Sequence, residues 1–245
     1  MQVDLTASFT GSEARQPATV AENVGIYLEL AKARLGALVV VTTIAGYVLA
    51  ARGHGSLWTL LLTVIGTALT AFGANILNQV WEVERDRRML RTRNRPLPAN
   101  KVSRSRATTW GLVSSVVGLV VLTLGANLLT AGLALFVILL YVLVYTPMKV
   151  RTPLNTAVGA VCGAVPPIMG WTAATGQLQE GAWLLGGILF VWQIPHFLAL
   201  AWLYREDYAR GGFRMLPTVD PEGRLSGRVA LLYTASLLPL SALLS

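Results

Sequence analysis

The length and purity of its apolar stretches limit this chain most. There are seven, at 35–51, 57–78, 107–125, 128–146, 153–174, 182–204 and 229–245, with almost no charge inside them. At 1.5 Å of rise per residue, about 20 apolar residues in a helix cross a hydrocarbon layer of about 30 Å. Hydrocarbon offers no partner to an open backbone group, so such blocks fold as helices. The expected fold is all-α, a multi-pass transmembrane helical bundle of about seven helices. Of 245 residues, 54% are hydrophobic and only 13% charged, against about 25% charged in soluble domains. That composition argues against a soluble domain, a disordered chain, a disulfide scaffold and a nucleic-acid-binding domain.

The placement of charge gives the topology. All Lys and Arg lie in or beside the connections: Arg15, Lys32 and Arg34 before the first block, nine from Arg85 to Arg106 after the second, Lys149 and Arg151 after the fourth, and Arg205, Arg210, Arg214, Arg224 and Arg228 after the sixth. The alternate connections hold Arg52 alone. The positive-inside rule then puts the N-terminus and the long basic loops, Gln79 to Arg106 and Tyr204 to Arg228, in the cytoplasm. The facing loops, Ala51 to Ser56, Ala126 to Asn127 and Thr175 to Gly181, are short.

Residues 1–23 form a polar tail carrying Asp4, Glu13 and Glu22, unlike a signal peptide or a mitochondrial transit peptide. Residues 24–245 read as one transmembrane domain, entered through an interfacial segment, Gly25 to Arg34, of mixed apolar and charged character. Cys162 is the lone cysteine and sits among Gly and Ala, as a small apolar filler. Gly159 and Gly163, followed by Pro166-Pro167, suggest close helix packing, with a cavity wall as the other reading.

The strongest chemical signal runs from Asn78 to Pro96, NQVWEVERDRRMLRTRNRP. If the second helix continues two turns past the apolar block, Asn78, Glu82 and Asp86 share one face and Glu84 points away. Carboxylate and amide oxygens suit Mg²⁺, which shares its coordination with substrate phosphates. Arg91, Arg93 and Arg95 follow, suited to bidentate phosphate contacts. A plain topology-setting basic loop explains the arginines but not three of the chain's twelve acids packed into residues 82–86. The pattern points to a metal–diphosphate site.

A second cluster, LYREDYARGGFRMLP at Leu203 to Pro217, places Glu206 and Asp207 beside Arg205, Arg210 and Arg214 on the same membrane side. Two such clusters facing each other could hold Mg²⁺ between them and neutralise a departing diphosphate. Lys149 and Arg151 add charge from a third loop. His196 lies inside the sixth block, where an ionisable residue points to function; it suits a haem ligand, a proton acceptor, or a bond to a neighbouring helix. His54 reads as a solvated loop residue, and Tyr141 and Tyr145 as either cavity lining or an interfacial belt.

With these motifs the chain resembles the membrane-embedded aromatic prenyltransferases, and within them the branch that acts on haem. The resemblance runs from about Tyr27 to the end of the chain. It is carried by Asn78, Glu82, Asp86, Met89, Arg91-Thr92 and Arg95-Pro96, by YLELAKAR, YTPMKVRTPLN and GAVPPIMGW, and, more specifically for the haem branch, by WQIPHFLALA and EDYARGGFRMLP. It implies Mg²⁺-dependent transfer of a farnesyl group from farnesyl diphosphate to a vinyl group of protohaem IX (haem b), giving haem O. Asn78, Glu82, Asp86 and Asp207 would be catalytic, with Glu82, Asp86 and Asp207 as metal ligands. Arg91, Arg95, Lys149 and Arg151 would contact phosphate and His196 would lie near the haem. Membrane lipids, haem A synthase and terminal oxidase assembly proteins are the implied partners. The sequence departs from the family at Leu203 and Gly211, where a second DxxxD would need acids, and at Arg85 and Ala33. The family fold has nine helices, which implies two more beyond the seventh block. The rival readings are a related enzyme with a quinone-precursor or chlorophyllide acceptor, and a non-catalytic haem- or lipid-binding membrane protein.

Overall fold

The structure, a computed structural model, describes residues 19–243. Most of the expected tail, with Asp4, Glu13 and Arg15, lies outside the described residues, as do 244 and 245. The helices are α1 (Val20–Leu30), α2 (Ala33–Ala51), α3 (Leu57–Asp86), α4 (Arg104–Gly125), α5 (Leu128–Leu139), a π-helical stretch (Leu140–Tyr145) running into α6 (Thr146–Met148), α7 (Asn155–Thr175), α8 (Glu180–Leu203), α9 (Arg205–Arg210), α10 (Leu216–Val219) and α11 (Arg224–Ala242). No strand occurs among the described residues.

Six helical segments are long and apolar enough to cross a membrane: α2, α3, α4, Leu128–Met148, α7 and α8. The chain is a multi-pass membrane protein. The seventh expected block is helical too, as α11, but is not among those six. The interfacial segment is not one helix. A capping box at Thr19 and Glu22 starts α1 at Val20, earlier than the expected end of the tail, and the helix stops at Leu30. Lys32 then takes a left-handed conformation (φ 51°, ψ 53°) before α2 begins.

α2, α3, α4, α5 and α7 close a ring, each packed on the next, while α8 flanks α7 and α11 packs on α8. α7 is the most buried of the spans. Small residues let it sit against α2: a methyl group added at Gly46 would overlap the Pro167 carbonyl, and one at Gly170 would overlap that of Thr43. Gly163 abuts the Gln193 amide and a Cβ at Gly159 would lie 2.8 Å from the Tyr145 ring, so the glycine pair serves packing. Cys162 is buried. Side-chain caps from Ser56, Ser103 and Asn127 satisfy first-turn amides of α3, α4 and α5. These caps fix where each of the three helices begins.

Candidate functional site

The 30 residues of α3 carry it beyond its apolar part, as the spacing of Asn78, Glu82 and Asp86 requires. All three are buried on one face, while Glu84 is exposed and pairs with Arg87 (3.0 Å) and with Arg104. The buried face meets the end of α6. Lys149 Nζ lies 2.9 Å from Glu82 Oε1, and Asn78 Nδ2 donates to Thr146 Oγ1 at 2.9 Å. The loop after α3 folds back: Arg95 Nη1 donates to Asp86 Oδ2 at 3.0 Å and Thr92 Oγ1 to the Asp86 carbonyl at 2.9 Å.

These residues enclose a pocket of about 240 Å³, lined by Lys32, Glu82, Asp86, Met89, Arg91, Arg95, Tyr141, Tyr145, Lys149, Tyr208, Phe213 and Met215. Four cations and two carboxylates leave it net positive. Tyr141 and Tyr145 stack at 5.2 Å on the π-helical stretch, and Lys149 sits 4.7 Å from the Tyr145 ring centre, so the two tyrosines are cavity lining. A π-helical turn at a functional site is a recurrent use of that irregularity.

Two lysines at the membrane edge are displaced in opposite directions. Burial works to lower Lys149, but the Glu82 carboxylate, reinforced by its hydrogen bond, holds it well above the ordinary lysine value. Burial, helped by the Arg95 and Lys149 charges and only partly opposed by Glu82 and Asp86, lowers Lys32 to about 7.

Asp207 takes another position. Its carboxylate accepts the backbone N–H groups of Leu90 (2.8 Å) and Arg91 (3.2 Å) and pairs with Arg210 (3.2 Å). It lines a neighbouring pocket of about 390 Å³ with Arg91, Tyr204, Arg205, Glu206 and Arg210. Among the described residues no three of His, Cys, Asp or Glu gather as a metal-holding group, so Asp207 is not brought together with Glu82 and Asp86. Its oxygens are directed at loop amides instead. Arg91 lines both pockets, its guanidinium 5.1 Å from the Tyr204 ring.

Arg151 lies apart from the first pocket, in a recess of about 200 Å³ with Glu82, Arg85 and Thr146. His196 is on the exposed side of α8, stacked on Trp192 at 5.1 Å and 11°, and lines none of these pockets. Arg93 is exposed, and the Arg214 backbone ties its loop to Lys149 (2.7 Å). Lys32 lines the first pocket too, a role the sequence does not assign it: it enters there only as a topology charge and within YLELAKAR, one of the motifs that carry the resemblance. Its signal was a single lysine between two apolar segments, in LELAKAR.

The UbiA prenyltransferase family model matches residues 39–245. The chain belongs to that family. It is 51% identical over 218 residues to human mitochondrial protoheme IX farnesyltransferase, covering 89% of this chain and 48% of that protein. It is 45% identical over 224 residues to the protoheme IX farnesyltransferase of Solibacter usitatus, covering 88% of this chain and 77% of the relative. The chain thus spans about half the length of the human relative. A UbiA homologue from Archaeoglobus fulgidus, solved with DMAPP and Mg²⁺ bound, has the same fold: TM-score 0.67 at 16% identity, over 89% of this chain and 74% of that one.

Proposed function

We propose that the chain transfers a farnesyl group from farnesyl diphosphate to a vinyl group of haem b, with Mg²⁺, giving haem O, with its basic loops on the cytoplasmic face of a bacterial inner membrane. The observation that carries the reading is Asp86: buried, one oxygen held by Arg95 and the other, Oδ1, without a hydrogen-bond partner, in a net-positive pocket. A buried carboxylate oxygen without a partner is costly unless a ligand completes it. The choice of haem as acceptor is supported by similarity to protoheme IX farnesyltransferases along nearly nine-tenths of the chain.

The donor set fits a hard divalent cation, with Asp86 and Glu82 as carboxylate oxygens and diphosphate and water completing the coordination. Bound there, Mg²⁺ would neutralise charge on the leaving diphosphate. Arg91, Arg95 and Lys149 would bind and orient the diphosphate, with Arg151 adding field from the side. The allylic C–O bond breaks and its electron pair leaves with diphosphate. The vinyl π electrons then form the new C–C bond. The cation left beside the porphyrin ring takes the oxygen of water, which loses its proton, giving the hydroxylated side chain. Tyr141, Tyr145 and Phe213 would keep water from the allylic cation until the acceptor has reacted. Asp207 would act by fixing the loop that carries Arg91. His196 would meet the acceptor on the exposed side of α8. Haem A synthase and oxidase assembly proteins would receive the product.

The test is a membrane assay with haem b, farnesyl diphosphate and Mg²⁺, read by chromatography and mass. A hydroxyethylfarnesyl haem that disappears with EDTA is expected. Preferred prenylation of a quinone precursor or chlorophyllide in competition would overturn the acceptor, and haem binding without any product would favour a carrier.

A further inference from the structure

The break between α1 and α2 is held from outside. The last carbonyls of a helix have no partner within it, and Leu30 and Ala31 are fully buried, out of reach of solvent. Two amides on α3 supply donors: Gln79 Nε2 to the Leu30 carbonyl, and Asn75 Nδ2 to that of Ala31 at 3.1 Å. Both side chains are themselves buried. The next residue, Lys32, is left-handed, a conformation that a side-chain-bearing residue keeps only when its surroundings over-determine it. Its ammonium donates to Asn78 Oδ1 at 3.3 Å, so three amides of α3 fix two carbonyls and one cation.

The pocket's charges are unequally matched. Lys149 has Glu82 and Arg95 has Asp86. Lys32 makes no ion pair among the described residues and meets only an amide oxygen. A half-buried cation with no counter-charge in contact is costly. A diphosphate in this pocket would supply the charge.

We propose that Asn75 and Gln79 are positioning residues that hold the α1–α2 break left-handed and thereby fix Lys32 as a cationic contact to the diphosphate. The inference rests on the diphosphate reading of the pocket given above.

The experiment uses the whole chain in detergent, titrated calorimetrically with inorganic pyrophosphate and Mg²⁺, alongside KM values for farnesyl diphosphate and haem b. Lys32→Met is expected to weaken pyrophosphate about 10- to 100-fold, as for loss of a hydrogen bond to a charged group. The KM for farnesyl diphosphate should rise in parallel and that for haem b stay within about twofold. Lys32→Arg should recover part of the loss. Lys32→Gly should keep the melting temperature, since glycine accepts a left-handed backbone freely, yet lose the same binding. Gln79→Met and Asn75→Leu should each weaken pyrophosphate, and should add nothing on a Lys32→Met background, because they act through that ammonium. Unchanged pyrophosphate affinity in folded Lys32→Gly would overturn the contact. Fully additive losses would overturn the positioning role. If the unsubstituted chain fails to bind pyrophosphate, the diphosphate reading itself falls and this inference with it; if it binds and only the variants behave otherwise, this inference alone falls.

Discussion

The Asp207 carboxylate accepts the Leu90 backbone N–H at 2.8 Å, tying α9 to the loop after α3. Its other oxygen takes the Arg91 N–H at 3.2 Å, so one acid sets the path of the chain where Arg91 leaves for the pocket. Hydrogen bonds to a charged group contribute about 1.5–3 kcal/mol each. Asp207→Ala should therefore loosen residues 87–95, seen as faster amide exchange there, and lower turnover at least tenfold. The Mg²⁺ concentration for half-maximal activity should stay within about twofold. A large shift in that concentration with unchanged exchange would make Asp207 a metal ligand.

Asp86 should behave in the opposite way. Asp86→Ala removes the unpartnered Oδ1 and the Arg95 partner together. Loss of prepositioned charge stabilisation typically costs about 10²–10³ in rate. We expect Mg²⁺-dependent turnover to fall by at least that factor while membrane insertion is retained. Normal turnover in correctly inserted protein would remove Asp86 from the metal site.

The difference between these two acids shows what spacing can and cannot tell. Helical periodicity put Asn78, Glu82 and Asp86 on one face and turned Glu84 away, because all four ride one rigid helix. The apolar blocks located the membrane-spanning helices for the same reason. Asp207 sits on a short helix one residue beyond the end of α8, where its direction depends on which loop amides come within reach, and nothing local encodes that. His196 shows the same limit: its place in an apolar block was plain, but which side of α8 it occupies depends on how α8 lies against α7 and α11. Lys32 was hidden because its conformation is imposed by amides more than 40 positions away.

His196 stacks on Trp192 at the exposed side of α8, away from the acid–cation pocket. His196→Ala should leave the KM for farnesyl diphosphate within about twofold and raise that for haem b severalfold. An unchanged haem KM would assign the ring to packing on Trp192.

The Lys149–Glu82 pair is nearly shielded from solvent on both sides. Removing one member of such a pair strands a buried charge, at a cost of about 3–5 kcal/mol. Lys149→Met should lower the melting temperature sharply, and adding Glu82→Gln should restore much of it without restoring turnover. Because Lys149 is raised when folded, its contribution is fully present below the ordinary value of 10.5 and is lost only at higher pH. The Lys149→Met penalty should thus be flat between about pH 6 and 9. A penalty that shrinks across that range would show that the pair is not an ion pair in the folded protein.

Lys32 gives the opposite sign. Its folded value is about 7 against an ordinary 10.5, so between those limits the unfolded chain binds a proton that the folded chain lacks. Stability then rises with pH across that window, because the cost of burying the ammonium disappears as the amine is neutralised. Below about pH 7 the ammonium is present in both states and the cost is complete. In ligand-free protein the melting temperature should climb from pH 7 to 10 relative to Lys32→Met, in which the side chain does not titrate. Parallel curves for the two proteins would show that Lys32 stays charged in the folded state, with an anionic neighbour closer than Asn78.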